Sequence, residues 1–453
     1  MSGNTEKVHF ISLGCPKNLV DTEIMYGSLS DKGYEMTQNA EEASVVVVNS
    51  CGFIEDSKAE SISTALKMTE LKSSTNIKKV ILAGCLTQRY KKDLVRDLPE
   101  VDIFVGSGDF QNIAEIIDKS FKGDPTKEYF DRPTYLQELS TPRVNSQYKH
   151  RAYLKISEGC KKRCSFCAIP NIRGNLQSRT VDAIVGEAKL LVAGGVKELI
   201  VISHDFTDYG WDLRKKDATA VDSPNKLLER LAKESGADWI RVLYLYPDGI
   251  NDELISLMKA HKNILPYFDM PLQHINNEVL KKMNRRMTRQ EIEESISKVR
   301  MSLPDAIIRT QFIVGFPGET QEQFDELVDF VKANRFDRVG AFKYSKEEDT
   351  KAGEMENQIA EDIKQERFDI IMSLQNEISA EEQESHVGKT YSVLVDAYHE
   401  ETELLVQGRY FGQAPDIDGV VIISDGLKDY QQGEFVNVKI TEAHDYDLVG
   451  EVI

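Results

Sequence analysis

The sequence predicts a three-domain α/β protein: an N-terminal doubly wound parallel sheet, a central partial (βα)6 barrel and a small C-terminal antiparallel β-barrel. Three observations predict it. The 453 residues amount to about three domains of roughly 150 residues each. Short β-rich runs alternate with helical stretches through most of the length, the pattern of parallel sheets with crossover helices. From residue 387 onward the alternation stops, and strand-like runs follow one another between Gly and Asp, as in a small antiparallel barrel.

In the first domain, residues 1–140, the runs 8–13, 44–49, 79–83 and 101–105 read as strands, and 21–30, 57–72 and 88–98 as the crossover helices. The polar stretch 141–150 keeps neither period and reads as a linker. In the second domain, 151–386, strands are expected at 152–156, 198–203, 240–246, 267–272, 307–314 and 338–344, separated by helical stretches such as 181–192 and 321–333. Six βα units are too few to close an eight-stranded barrel, so the barrel stays open. Residues 359–385 form one long charged helix, and 387–453 hold the tail runs YSVLVDAY, ELLVQGRY, GVVIIS and EFVNVKIT.

Composition narrows the class. There are 56 Lys and Arg against 75 Asp and Glu, a formal charge of −19, with 41% hydrophobic and 29% charged residues. That is a globular composition, neither disordered nor fibrous. The start MSGNTEKVHFISLG has no basic n-region followed by an apolar h-region, and no stretch nears the roughly 20 apolar residues that span a bilayer. A cytoplasmic protein without membrane contact is expected. Six cysteines are too sparse for a disulfide scaffold, and in a reducing compartment they read as metal ligands or reactive thiols.

Cys15, Cys51 and Cys85 each come directly after one of the first three strand runs. Strand carboxyl ends in a parallel sheet share one edge, where ligands bind, so three thiols distant in sequence converge. One such cysteine alone would most simply be a buried free thiol; three at one topological position point to a metal site. The adjoining Gly14, Gly52 and Gly84 permit tight turns. Cys160, Cys164 and Cys167 make a C-x3-C-x2-C loop after the first barrel strand. Three thiolates on one loop suit a [4Fe-4S] cluster with one iron left free of protein. A structural zinc would want a fourth Cys or His, and this loop has none. Lys161, Lys162 and Arg163 inside the motif read as compensation of its negative charge.

This loop after the first strand of a partial barrel resembles the radical S-adenosylmethionine (SAM) superfamily, and the added cysteine-bearing sheet and β-barrel tail resemble its methylthiotransferases, whose tail is TRAM-like. The segments SLGCPKNLVD at 12–21, EGCKKRCSFCAIP at 158–170, RVLYLYP at 241–247, MPLQH at 270–274 and FIVGFPGET at 312–320 are most similar to the ribosomal protein methylthiotransferases, the RimO type. The resemblance covers nearly the whole chain. It implies that Cys160, Cys164 and Cys167 hold one [4Fe-4S] cluster, whose free iron chelates SAM and whose reduction yields a 5′-deoxyadenosyl radical. It implies that Cys15, Cys51 and Cys85 hold a second, which delivers sulfur, and that a second SAM gives the methyl group. The product it implies is a methylthio group on the β-carbon of an aspartate in small-subunit ribosomal protein twelve, with electrons from a flavodoxin or ferredoxin type donor. For SAM contacts it points to Phe166 in the cysteine loop, to Gly194 and Gly195 before the second barrel strand, to Gln273, and to Gly315 after the fifth strand. Val196-Lys197-Glu198 departs from the superfamily's simplest Gly-Gly-Glu form.

Charge separates the substrates that this chemistry could serve. Residues 387–453 carry four basic and 13 acidic side chains, a formal −9. A barrel that grips RNA should be basic, whereas this one suits a basic partner such as a ribosomal protein on or near the ribosome. A tRNA methylthiotransferase acting on a purine is the alternative, with Arg173, Arg179, Arg285, Arg286 and Arg289 as its basic patch. A two-cluster electron carrier is the alternative of another class, and it leaves the large barrel without a task.

Overall fold

The computed structural model describes residues 6–217, 219, 220, 222–399, 402–424 and 430–453; Lys428, counted in the tail's charge, lies outside them. The N-terminal sheet has six parallel strands in the order Glu35–Met36, Lys7–Ser12, Val45–Ser50, Lys79–Gly84, Ile103–Gly106 and Glu128–Tyr129. The four expected strands form its middle. The two added edge strands have two residues each, too short to show a period in sequence. Val45–Ser50 is buried throughout because helices cover both faces. Val45 and Val47 share a core with Val20 and Ile24 of the helix Pro16–Asp31. Val46 and Val48 face the other way, onto Ala65 and Leu94 of the helices Glu55–Leu71 and Cys85–Asp97. Strand order reverses between Lys7–Ser12 and Val45–Ser50, the topological switch point at which such sheets bind ligands.

The six central strands form two parallel three-stranded sheets. One has the order Trp239–Val242, Glu198–Ile202, Arg151–Lys155, the other Tyr267–Gln273, Ile307–Val314, Arg338–Lys343. A single bridge between Ile240 and Ile264 joins them, and the first and last strands do not pair: the barrel is open. Ala152, Leu154, Leu199 and Val201 point outward into a core with Ile184, Leu227 and Leu231 of the covering helices. Tyr153, Ile200 and Ile202 point inward and share their core with Val20, Ile24 and Met25 of the N-terminal sheet's first helix. Residues 141–150 are irregular, and the Arg143 side chain within them is buried between Glu23 and Glu187, 2.6 Å from each.

The helix Glu361–Glu384 leads to the tail, where Ser379 and Gln383 donate to the carbonyls of Asp445 and Tyr446. The tail is a closed five-stranded barrel in which Val421–Ile423 and Leu448–Val452 pair in parallel and the other pairings are antiparallel. It docks on the amino ends of the central strands. Arg409 lies 2.6 Å from Asp396 and 2.7 Å from Glu198, Glu198 lies 2.8 Å from Arg241, and His150 lies 2.7 Å from Asp396, all buried. Asp416 meets Arg151 and Tyr153, and Asp418 accepts from Tyr267. Among the described residues no helix is long and apolar enough to cross a membrane.

Breaking a buried ion pair from one side leaves an uncompensated charge and costs about 3–5 kcal/mol. Arg409→Met, which strands Glu198 and Asp396 together, is therefore expected to lower stability by about that much in urea unfolding. A loss below about 1 kcal/mol would place this network at the weak, solvent-screened end of the range.

Candidate active site

Cys15, Cys51 and Cys85 emerge from three neighbouring strands that straddle the switch point. Cys15 caps the helix Pro16–Asp31 in extended conformation with Pro16 behind it, a favoured helix start. Cys51 is clamped by Ser61, whose hydroxyl accepts from its N–H at 3.0 Å and donates to its carbonyl at 3.1 Å. Cys85 opens the next helix after Gly84, whose φ is +96°. Gly14 has φ +87°, and a Cβ there would stand 2.8 Å from Cys51 Cβ and 3.1 Å from its sulfur, so the close approach of the first two loops needs glycine. Asn18 ties the three loops together: its amide donates to the carbonyls of Leu13 and Ser50 at 3.0 and 2.9 Å, and its Oδ1 lies 3.4 Å from Cys85 Sγ.

The second trio lies at the carboxyl edge of the central barrel. The loop is pinned by Cys160 N–H on Gly174 O at 3.2 Å, Ser165 N–H on Met283 O at 3.0 Å and Ala352 N–H on Ser165 O at 2.9 Å. Arg285, stacked 4.1 Å from the Tyr246 ring centroid, places a guanidinium nitrogen 3.6 Å from Cys164 Sγ. The two trios share one site. Ala168, next after Cys167, packs with Ile172 against Cys85. The short helix Ile169–Arg173, roughly 8 Å long, ends on Arg173, whose Nε lies 3.1 Å from Cys85 Sγ and whose Nη1 lies 2.6 Å from Asp21.

Around this junction the charges are buried and paired. Lys155 reaches Asp21 at 2.5 Å and Glu158 at 3.0 Å. Burial alone would raise the Glu158 carboxyl, but Lys155 and Arg173 hold it down at about 2. Burial, with Lys17 and Arg173 nearby, pushes His204 well below its ordinary value, so its imidazole is neutral at pH 7. Burial raises Asp205 to about 6, helped by Asp208. Burial likewise lifts the Cys51 thiol, brings Cys160 to about 11, and brings Cys85 and Cys167 to about 12. Two bulky residues sit at positive φ on the carboxyl edge, Tyr244 at +63° and Gln273 at +75°, conformations that cluster where a site over-determines the backbone.

Among the described residues no group of three His, Cys, Asp or Glu is disposed to hold a metal ion. A tetrahedral zinc would draw its sulfurs to roughly 4 Å of one another; a four-iron cube takes its ligands at separate corners and asks for wider trios. The donor set fits such a cube in both places: three sulfurs, one arginine against a sulfur and, among the described residues, no carboxylate paired with a thiol. The barrel edge also fits a polar cofactor, because Ser157 Oγ, Ser203 Oγ and His204 Nε2 are buried there without hydrogen-bond partners.

Phe166 is partly buried beside Val279, Met283 and Phe316, and half-buried Gln273 ends its strand opposite Phe312. Gly315 donates its N–H to Glu319, and Lys364 fills the space where its Cβ would be, which leaves its carbonyl edge for a ligand. Gly194 and Gly195 must be corrected. Gly194 caps the helix Val181–Ala193, and Lys197 N–H meets His150 O at 2.7 Å, before the first strand begins. They therefore lie at the amino end of a five-residue strand roughly 16 Å long, away from the cysteine loop. The second strand's carboxyl end is Ser203-His204-Asp205 instead. The arginine patch is corrected too. Arg173 and Arg179 are buried, Arg179 on Glu187, Arg285 faces Cys164, and Arg289 pairs with Glu293 and Glu326, leaving Arg286 exposed. Lys161 and Lys162 pair with Asp208, Asp205 and Asp248, not with the sulfurs. Sequence reasoning missed Asn18 and the inward role of Arg173; Asn18 lies within a quoted motif and Arg173 three residues past the end of another, the signal that could have found them.

Comparison with known proteins places this geometry. Family models match at residues 7–106 (Uncharacterized protein family UPF0004), 154–331 (Radical SAM superfamily) and 387–453 (TRAM domain). In fold, the chain is similar to the radical SAM methyltransferase TsrM of Kitasatospora setae, with TM-score 0.52 and 14% identity over 75% of each chain. The cobalamin-dependent SAM radical enzyme OxsB has TM-score 0.52 and 10% identity over 72% of this chain and 52% of its own. The molecule is thus a radical SAM protein with a cysteine-bearing sheet before the barrel and a TRAM domain after it. In sequence, it is 62% identical to the ribosomal protein uS12 methylthiotransferase RimO of Bdellovibrio bacteriovorus, over 100% of this chain and 98% of that one. The proteins of the same name from Geobacter sulfurreducens and Clostridioides difficile are 45% and 46% identical, over 100% of both chains and 99% of both chains respectively. The chain belongs to the RimO family of ribosomal protein uS12 methylthiotransferases.

Unfolding exposes a cysteine thiol to its ordinary pKa of about 8.5. With Cys85 raised to about 12 in the folded apo-protein, the unfolded state ionises first, so stability is full below about pH 8.5 and falls as pH rises toward 12. Urea unfolding of apo-protein should show wild type losing about 2 kcal/mol more than Cys85→Ala between pH 8.5 and 10. Parallel curves would mean that this thiol is not sequestered.

Proposed function

We propose that the chain is a two-cluster radical SAM methylthiotransferase that adds a methylthio group to the β-carbon of an aspartate in ribosomal protein uS12. The observation that carries the reading is the contact of Ala168 and Ile172 with Cys85, which sets two three-thiol sites on either side of one space. When bound, SAM and the two [4Fe-4S] clusters supply the hydrogen-abstracting radical, the sulfur and the methyl group. The chain supplies placement and exclusion of water. Cys160, Cys164 and Cys167 hold one cluster, and Cys15, Cys51 and Cys85 the other. Arg285 and Arg173 each bring a permanent positive charge to one trio, favouring thiolate over thiol. Ser157, Ser203 and His204 offer hydrogen bonds to the polar end of SAM, while Phe166, Gln273 and the carbonyl edge of Gly315 form the rim of its pocket.

A basic ribosomal protein, met on or near the ribosome, suits the exposed Glu434, Glu442, Asp445 and Glu451 of the tail. Electrons come from a flavodoxin or ferredoxin type donor. A tRNA substrate is disfavoured because four of the five arginines that would have met phosphate are engaged within the protein.

Reconstituted protein should bind about eight irons per chain. Replacing Cys160, Cys164 and Cys167 by Ala should remove about half of them together with SAM cleavage; replacing Cys15, Cys51 and Cys85 should remove about the other half together with methylthio transfer. Mass spectrometry of uS12 for the added methylthio group reads the transfer. Four irons in the wild type, or transfer surviving loss of the N-terminal trio, would overturn the two-cluster assignment.

A further inference from the structure

We infer that Lys17 is the specificity residue that holds the carboxylate of the side chain being modified. The inference rests on the reading above, in which that side chain is an aspartate of uS12.

Four lysines of the described chain are buried: Lys17, Lys58, Lys155 and Lys364. Three have carboxylate partners: Lys58 has Glu347 at 3.1 Å, Lys155 has Asp21 at 2.5 Å and Lys364 has Glu361 at 3.2 Å. Lys17, 4% exposed, is the exception: among the described residues no carboxylate lies at ion-pair distance from its Nζ. Its one close partner is the Tyr244 ring, with Nζ 3.8 Å from the centroid. The anionic groups whose field reaches it are Cys15 first, two residues before it, and then Glu158 and Asp269; both carboxylates are engaged. Glu158 is taken by Lys155 at 3.0 Å, and Asp269 by Arg309 at 2.6 Å and by the Tyr244 N–H at 3.0 Å.

A buried ammonium without a carboxylate at ion-pair distance is costly, and here the cost is incurred at a chosen place. Lys17 stands in the first turn after Cys15, facing Tyr244 at the carboxyl edge of the barrel, and Tyr244 is held at φ +63° so that its ring floors the ammonium. The position adjoins the Cys15 trio and meets the carboxyl edge of the barrel at Tyr244. In an aspartate the carboxylate is bonded directly to the β-carbon, so a cation that binds the carboxylate here presents the β-hydrogens to that same space. An uncharged purine would leave the ammonium buried and unpaired, so the same feature argues against a nucleobase.

The test measures binding of uS12, and of uS12 with its target aspartate replaced by asparagine, to the reconstituted enzyme by calorimetry. Wild type should bind the aspartate form about 10-fold to 100-fold more tightly, the range of a charge-assisted bond. Lys17→Met should bind both forms with the affinity that wild type has for the asparagine form, at an unchanged iron content. Equal binding of the two forms by wild type, a comparison that needs no variant, overturns the assignment, and so does discrimination that survives in Lys17→Met. Loss of about half the iron in Lys17→Met would overturn it as well, making the lysine a counter-charge to the Cys15 trio. If wild type binds neither form of uS12, the substrate reading itself has failed and the role of Lys17 falls with it.

Discussion

The arrangement depends on one buried guanidinium. Arg173 begins from the barrel, at the end of the short helix behind Cys167, and finishes in the other domain, on Asp21, Asn18 and Cys85. A cation there could not be buried by either domain alone: the barrel would offer it Glu158 at 3.5 Å and little else, and the sheet alone would leave Asp21 without either of its cations, Arg173 and Lys155, which both come from the barrel. Because removing one member of such a cluster strands the others, the relative position of the two cysteine trios is fixed by electrostatics as well as by apolar contact. Similar pairs repeat around the junction, with Arg143 between Glu23 and Glu187 and Arg89 on Glu347. The interface between the domains is thus sealed by ion pairs whose partners come from opposite sides, with the shared apolar core of Val20, Ile24, Tyr153 and Ile200 behind them.

The tail obeys the same rule with the opposite sign. Its acidity looks in sequence like one uniform property, suited to steering a basic partner. In the fold it divides in two. Asp396 meets His150 and the tail's own Arg409, which reaches Glu198, while Asp416 pairs with Arg151 and Asp418 accepts from Tyr267 at the amino ends of the barrel strands, fastening the tail to the face opposite the cysteines. Glu434, Glu442, Asp445 and Glu451 remain on the surface. Net charge counted along a chain cannot separate these two uses, because the separation depends on which strand ends the tail meets.

What was legible in the sequence follows from what is periodic or local. Strands buried on both faces, such as Val45–Ser50, announce themselves as apolar runs, and a C-x3-C-x2-C loop is read from spacing alone. The Cys15, Cys51 and Cys85 trio was legible by one further step, that parallel strands end on a common edge. Gly194 and Gly195 were correctly read as preceding the second barrel strand, but the resemblance lent them a ligand role that only the carboxyl edge can serve; the helix that Gly194 caps keeps the pair at the amino end. Arg173 was read as a surface charge because arginines are mostly exposed, and nothing local announces that Asp21, 152 residues earlier, waits for it. The two-residue edge strands and the parallel pair that closes the tail barrel are set by tertiary pairing and leave no pattern.

Both trios stand at carboxyl edges of parallel sheets, and the domains are set with those edges toward each other, so the space between them belongs to neither. A radical that removes hydrogen from unactivated carbon is safe only where other hydrogen donors and water are kept away. The walls meet this condition by pairing their own charges, Glu158 with Lys155 and Arg173, Asp269 with Arg309. With those pairs made, the buried ammonium of Lys17 over Tyr244 is left, among the described residues, without a carboxylate at ion-pair distance. A buried cation without a carboxylate bears on the incoming group itself: the proposed cluster chemistry would decide how a carbon is attacked, while the lysine and the tyrosine at positive φ beneath it would decide which carbon stands there.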